Sequence, residues 1–351
     1  MPAPRLTLRR PDDWHVHLRD GAMLKAVLPF TAQQFARAIV MPNLKPPVGT
    51  AADAEAYRAR ILEALPAGAR FTPLMTCYLT DATDADDLAR GAASGVFTAA
   101  KLYPANATTN SAHGVTDIRR IDGVLARMAE IGLPLLIHGE VTDADVDIFD
   151  REAVFLDQVL SPLLERHPTL RVVLEHVTTK EAVDFVRAHA DSGRIGATIT
   201  AHHLFINRSH IFAGGIRPHL YCLPIAKREV HRRALVEAAI SGEGPFFLGT
   251  DTAPHAVTAK ETACGCAGCF TAPSAIELYA QAFDEAGALD KLEAFASLNG
   301  PRFYRLPVNE ERIVLERSPA KVADVVLLAE GDGVLPFKSG ETLDWRLIGI
   351  E

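Results

Sequence analysis

Residues 12–18 read DDWHVHL, a short β-rich run that carries His15 and His17. Seven further β-rich runs follow: ARAIVMP at 36–42, FTPLMTCYL at 71–79, FTAAKLY at 97–103, LPLLIHGE at 133–140, RVVLEHV at 171–177, IGATITAHH at 195–203 and PFFLGTD at 245–251. Most intervals between them contain helix-like segments. AADAEAYRARILEAL at 51–65 and EVHRRALVEAAI at 229–240 space their apolar residues by three and four, and 117–131 is similar. Strand alternating with helix implies a parallel sheet, and eight repeats imply a (β/α)8 barrel of the TIM type. The seventh run is the weakest of the eight, because its character is mixed and 202–224 is long and irregular.

A barrel of this kind needs about 250 residues, so a chain of 351 leaves room for additions. These follow the eighth run as a loop rich in Cys and Gly at 258–271, helical patterns near 273–287 and 289–297, and a tail from 310 to 351. The tail reads as short strands and turns packed on the barrel as a small appendage, with VADVVLLAE its most β-like run. With no low-complexity linker and no repeat beyond the strand–helix unit, one domain over 1–351 is expected, its barrel strands within about 12–251 and its C-terminal helices and tail within about 272–351.

Apolar residues make up 48% and charged residues 23% of the chain, which excludes a disordered or collagen-like polypeptide. The net charge of −8 lacks the positive field that drives nonspecific nucleic-acid or anionic-membrane binding, so small-molecule partners are expected. No run approaches the ~18 apolar residues of a membrane span, and the opening MPAPRLTLRRPDDWH lacks the apolar core of a signal peptide. Five cysteines, an odd number, are poor material for a disulfide framework and fit a reducing, cytoplasmic setting.

Chemistry concentrates at the C-terminal ends of the runs. His15 and His17, at i and i+2 of an extended strand, point the same way and can reach one metal. His-x-His alone is weak, since a chain with 13 histidines would show about half of one such pair by chance. Position strengthens it: His138, His176 and Asp251 close the fifth, sixth and eighth runs, on the face where barrel enzymes assemble their sites. Lys101 lies inside an apolar run, where an ammonium costs several kcal/mol unless it pairs or deprotonates. Either its head reaches the rim, or its neutral amine reacts with carbon dioxide to give an anionic carbamate that bridges two metals. Arg19, two residues after His17, faces the same side if the strand continues and would clamp a substrate carboxylate; the plainer reading is a surface ion pair. Asn43 and His255 also fall on this face, though each alone reads as a turn or loop residue. Cys264, Cys266 and Cys269 have C-x-C-x-x-C spacing without a convincing fourth ligand, so a tight loop with reduced thiols is favoured over structural zinc.

The chain closely resembles the dihydroorotases of the amidohydrolase superfamily, in their shorter bacterial class (class II). The likeness runs through DDWHVHLRDG, AIVMPNLKPP, FTPLMTCYLTD, FTAAKLYPANATTN, HGEV, LEHVTTK, GGIRPHLYCLPIAKR, LGTDTAPH, KETACGCAGCF and NGPRFYRLPVN. Departures fall mainly in helices, in ITAHHLF after the seventh run and in the C-terminal tail. The resemblance implies two zinc ions, one held by His15, His17 and Asp251 and the other by His138 and His176. Lys101, as N6-carboxylysine, and a hydroxide would bridge them. It further implies that Arg19, Asn43 and His255 bind the substrate carboxylate, that backbone groups of Leu223 and Ala267 hold the ring or ureido edge, and that Thr108 and Thr109 belong to a mobile lid. In the interconversion of N-carbamoyl-L-aspartate and L-dihydroorotate, Asp251 would take the hydroxide proton and deliver it to the departing ring nitrogen, in a cytoplasmic homodimer.

Two other readings stay open on the sequence. A hydantoinase or allantoinase would share the metal ligands, but a site with an extra carboxylate clamp should reject uncharged rings. An inactive barrel kept as a scaffold would not need every ligand position intact.

Overall fold

The structure, a computed structural model, describes residues 3–329 and 331–351. A first strand, β1 (Arg5–Arg9), precedes the barrel. Eight parallel strands then pair in chain order: β2 (Asp13–Val16), β3 (Arg37–Val40), β4 (Thr72–Tyr78), β5 (Phe97–Leu102), β6 (Leu135–Ile137), β7 (Val172–Leu174), β8 (Ile195–Ile199) and β9 (Phe246–Leu248). A parallel bridge from Val16 to Thr252 joins the last strand's extension back to the first, making a (β/α)8 barrel. Each strand lies within its predicted run but is shorter, because the final residues of most runs turn off into the loops that carry the site.

The helices are set by local rules. Ala51–Glu63 starts at Thr50, whose side chain accepts from Asp53 N while Asp53 accepts from Thr50 N, a reciprocal cap. Its Ala54, Tyr57 and Ile61 form the buried stripe that packs on the sheet. Lys180–Ala188 is capped by Thr179, and Glu229–Ile240 and Ala275–Glu285 fall where the apolar spacing predicts.

Inside the barrel, Trp14, Ile39, Ala99, Leu136, Val173 and Phe247 pack with Phe303 and Tyr304. Tyr304 stacks on Trp14 with ring centroids 4.3 Å apart. Gly300 permits this approach, because a Cβ there would meet Trp14 Nε1 at 1.8 Å. The lower barrel is thus filled, and the polar inward positions are the later ones on the strands, at the C-terminal face.

Three sequence expectations need correction. IGATITAHH is strand only to Ile199; Thr200 caps a short helix, Ala201–Phe205, by accepting from His203 N. VADVVLLAE contributes only β11 (Val326–Leu327), paired with β12 (Gly333–Val334), and its last residue, Glu330, lies outside the described residues. The substantial tail strands are β10 (Arg312–Lys321) and β13 (Thr342–Ile350), which form an antiparallel sheet with β1, a strand the sequence reading passed over. This sheet docks on Ala275–Glu285 through Leu347 N to Glu277, Asp344 N to Gln281 and Trp345 Nε1 to Asp284. Among the described residues, no helix is long and apolar enough to cross a membrane.

Candidate metal centre

His15 lies on β2, His17 just beyond it, Lys101 on β5, and His138, His176 and Asp251 one, two and three residues past β6, β7 and β9. All six side chains are buried. The register of β2 against β3 shifts between Asp13 and Val16. With this irregularity Trp14 joins the interior cluster while His15, its neighbour, still reaches Glu175. Gly249 keeps the far wall close: a Cβ there would stand 2.6 Å from that of Thr198 and 3.3 Å from that of His15.

Asp251 Oδ1 sits 3.0 Å from His17 Nε2 and 3.3 Å from His15 Nε2, and the two ring nitrogens are 3.3 Å apart. The His176 ring centroid is 5.0 Å from that of His15 and 4.9 Å from that of His138. The ligand atoms of His15, His17 and Asp251 lie within 4.8 Å of one another and could hold a metal ion. The outer nitrogens are fixed by acceptors. His15 Nδ1 faces Glu175 Oε2 at 2.7 Å, and His17 Nδ1 faces Asn43 Oδ1 at 2.8 Å. A proton on each Nδ1 leaves both Nε2 lone pairs directed at Asp251, the tautomer a metal requires. His138 Nε2 is tied to Glu140 at 2.8 Å, which leaves Nδ1 as its free donor atom.

Electrostatics mark a place that favours positive charge. Burial pushes His15 down, but Glu175 and Asp251 outweigh it and the net direction is up, with Lys101 opposing. Burial would likewise raise Asp251, yet His15, His17 and His176 hold its carboxyl well below the ordinary range. Lys101 is fully buried with no hydrogen-bond partner for Nζ, which lies 5.1 Å from the centroid of the Tyr103 ring. Burial lowers it to about 8, against the pull of Glu175 and Asp251. His176 Nδ1 is also sealed without a partner. An orphaned amine and an orphaned imidazole nitrogen, set among converging lone pairs, fit a cationic centre better than a self-contained polar core.

Toward solvent, Arg19 takes a positive φ of 59°, as do His176 (40°) and Asp251 (45°). Three non-glycine residues in this sparsely populated region, all at one site, are held there by their surroundings. For Arg19 these are Nε donating to Pro254 O at 3.1 Å and Tyr57 Oη donating to Arg19 O at 2.6 Å. Arg19 Nη2 lies 3.0 Å from His255 Nε2, which is also 3.0 Å from Ala267 O. Nε2 cannot accept from Arg19 and donate to Ala267 in one tautomer. Burial, reinforced by Arg19, depresses His255 to about 3, so the imidazole is neutral.

Leu223 and Ala267 line the same small cavity, of about 20 Å³, as do Thr108 and Thr109. Thr109 Oγ1 donates to Ala267 O at 3.3 Å, and Asn43 Nδ2 donates to Thr109 O at 3.0 Å. Asn43 therefore spans His17 and the 105–114 loop. The cavity holds about one water, too little for a ring-sized ligand in the arrangement seen. A larger outer cavity, about 700 Å³, shares Arg19, Thr108, Thr109, Leu223, His255 and Ala267. Within this loop Ala107 and Ser111 are buried, and Ser111 Oγ donates to Thr108 O at 2.6 Å.

Sequence reading missed the acids behind the ligands. Glu175 accepts from both His15 and Thr198, Glu140 from His138, and Asp13 from Thr250 and the His15 amide. Glu152 accepts from the backbone and hydroxyl groups of Thr178 and Thr179, fixing the turn after His176. The available signal was an acidic residue within two positions of a strand-end histidine, as in HGE and LEH.

The sequence profile of the amidohydrolase family matches residues 13–317. A dihydroorotase of Novosphingobium aromaticivorans is 64% identical over 342 residues, covering 97% of this chain and 98% of its own. Among solved structures, a dihydroorotase from Saccharomyces cerevisiae in complex with 5-fluoroorotic acid superposes with a TM-score of 0.91 at 33% identity, covering 98% of both chains. One from Campylobacter jejuni gives 0.90 at 36% identity, covering 99% of this chain and 98% of its own.

Proposed function

The chain belongs to the amidohydrolase family, and from that premise we propose that it acts as a dihydroorotase of the shorter bacterial class, interconverting N-carbamoyl-L-aspartate and L-dihydroorotate on the route to UMP. The observation that carries the reading is Arg19. Its guanidinium has no carboxylate partner among the described residues, yet it faces the cavity of the His/Asp cluster beside a neutral His255. A ligand carboxylate completes this pair bidentately and gives His255 an acceptor for a proton.

The residues fit two zinc ions: His15, His17 and Asp251 would hold one, His138 and His176 the other, and Lys101 would bridge them as a carbamate. The carbamate forms when the neutral amine attacks carbon dioxide, making the N–C bond and releasing one proton. When bound, the ions would supply Lewis acidity toward the reacting carbonyl and lower the pKa of a coordinated water. Arg19, Asn43 and His255 orient the substrate through a carboxylate remote from the bond that breaks, and backbone groups of Leu223 and Ala267 meet the ring edge. In hydrolysis Asp251 takes the proton of the attacking water and delivers it to the departing ring nitrogen; in closure it works in reverse. Thr108 and Thr109 close over the ligand and exclude bulk water. The family resemblance also supports a cytoplasmic homodimer.

The test is turnover of L-dihydroorotate and N-carbamoyl-L-aspartate by the zinc-loaded protein, beside an uncharged hydantoin. Ring closure consumes one proton, so above a carboxylate pKa of ~4 the equilibrium should move about tenfold per pH unit toward carbamoyl aspartate. A pH-independent ratio, or equal turnover of the hydantoin, refutes the assignment.

A further inference from the structure

Across the barrel wall, three elements outside the catalytic cluster bring a second set of ligands together. His202 comes from the helix after β8, Cys222 from the irregular segment after it, and Cys269 from the loop after β9. Their donor atoms lie within 4.8 Å of one another, and all three side chains are buried, at 0%, 1% and 1% exposure. Neither ring nitrogen of His202 has a hydrogen-bond partner. Two buried polar atoms left unmatched are destabilising, whereas His203 next door is satisfied by Thr200 Oγ1 and Pro224 O.

We propose that His202, Cys222 and Cys269 form a third metal site, separate from the catalytic cluster, that takes a thiophilic d10 ion, Zn²⁺ in the cell. A tetrahedral ion with bonds of ~2.1–2.3 Å holds such ligands ~3.5–3.8 Å apart, inside the 4.8 Å within which these donor atoms already lie. Two thiolates and a neutral imidazole balance the charge of Zn²⁺. Two protons leave as the ion binds, one from each thiol. Burial depresses His202 to about 4, so its imidazole is already in the ligating form. No carboxylate belongs to the set, which selects against Mg²⁺ and Ca²⁺. As thiols, Cys222 Sγ donates to Pro224 O at 3.4 Å and Cys269 Sγ to His219 O at 3.6 Å, and these weak bonds are given up when the ion takes the two sulfurs.

The position gives the ion a purpose. Cys222 precedes Leu223, and Cys269 follows Ala267 and Gly268, so one ion would pin both backbone segments that line the catalytic cavity. Lys260 already braces the same segments, donating to Tyr221 O, Cys266 O and Gly268 O at 2.8, 2.8 and 3.0 Å.

The test uses the full-length protein carrying Cys264→Ser and Cys266→Ser, which removes the two thiols with solvent exposure. It is produced in zinc-supplemented medium under reducing conditions. Zinc X-ray absorption should then show a sulfur shell at ~2.3 Å, which the nitrogen and oxygen donors of the catalytic cluster cannot produce. Cys269→Ala and, separately, Cys222→Ala should abolish that shell and lower the zinc content by one per chain. His202→Gln, which keeps both thiols, should release that zinc to a chelator at least ~10-fold more readily. Absence of the sulfur shell in the parent, its persistence in either alanine variant, or unchanged retention in His202→Gln overturns the proposal. None of these readouts depends on dihydroorotase turnover, so failure here is distinguishable from failure of the catalytic assignment.

Discussion

Replacing Glu175 with glutamine tests whether the catalytic cluster is organised by the acids behind it. Glu175 Oε2 accepts from His15 Nδ1 and Thr198 Oγ1, both at 2.7 Å, and the side chain is fully buried. Thr198 Oγ1 in turn accepts from the His176 amide at 2.6 Å, so one carboxylate orders residues proposed as ligands of both ions. Glutamine fills the same space and offers one acceptor oxygen, but it exchanges a charge-assisted bond of ~1.5–3 kcal/mol for a neutral one of ~0.5–1.5. The difference, about 1–1.5 kcal/mol, is close to tenfold in metal affinity at ~1.4 kcal/mol per decade. The new amide nitrogen also falls near Oε1, which has no protein partner, and must donate to Thr198 or remain unsatisfied. Competitive chelator titration of the zinc-loaded protein should therefore show a 10- to 100-fold weaker site, the usual range for an outer carboxylate. Unchanged zinc affinity in a folded Glu175→Gln protein would refute the reasoning.

Further substitutions probe the other parts. Lys101→Ala should lose both metal and turnover, with partial rescue by short carboxylic acids; full zinc content and normal rate would exclude the bridge. Arg19→Met should cost ~2–5 kcal/mol in kcat/KM for dihydroorotate while sparing uncharged rings; equal losses on both would make Arg19 structural. Replacing Thr108 and Thr109 together by alanine should lower kcat/KM at least ~10-fold with zinc intact, and normal kinetics would remove the lid role. Glu277, far from the site, tests the tail's docking. Burial raises its carboxyl to about 7, against hydrogen bonds that include the Leu347 amide, while Oε2 is sealed without a partner. The folded state then holds the proton more tightly, so stability should fall by about 1–3 kcal/mol as pH rises from ~4.5 to ~7 and level off above. Denaturation across that range should show the fall in the parent and lose it in Glu277→Gln.

The sequence made the barrel legible because each strand is a short apolar run that the sheet buries on both faces. It failed where that grammar is absent. β1 is charged at both ends, with Arg5 and Arg9, and forms only because β10, over three hundred residues away, supplies its partner. In VADVVLLAE the apolar residues suggest a long strand, but only Val326 and Leu327 find an opposing edge. The chemistry-bearing residue types were legible for a related reason, since histidine, lysine and aspartate at strand ends are costly unless something binds them. Their acidic supports were not, because Glu140 and Glu175 look like ordinary carboxylates until burial removes water from them.

Direction is the part that residue identity could not supply. Alternation along β5 and β6 correctly turns Lys101 inward with Ala99, and His138 inward with Leu136. Along β7 the same rule takes Glu175 inward after Val173 and would send the next residue, His176, outward. The proposed metal site needs both. His176 enters because its φ is 40°, and the turn that holds it is secured from behind by Glu152, on Thr178 and Thr179, and by Thr198 on the His176 amide. The strained backbone and the buried acids are therefore one device: the acids hold a conformation that alternation forbids, and that conformation brings His176 to the cluster. Releasing Glu152 should consequently weaken metal binding without touching a ligand. Glu152→Gln should lower zinc affinity with His176 still present, whereas a loss confined to thermal stability would show the turn to be set by the barrel alone.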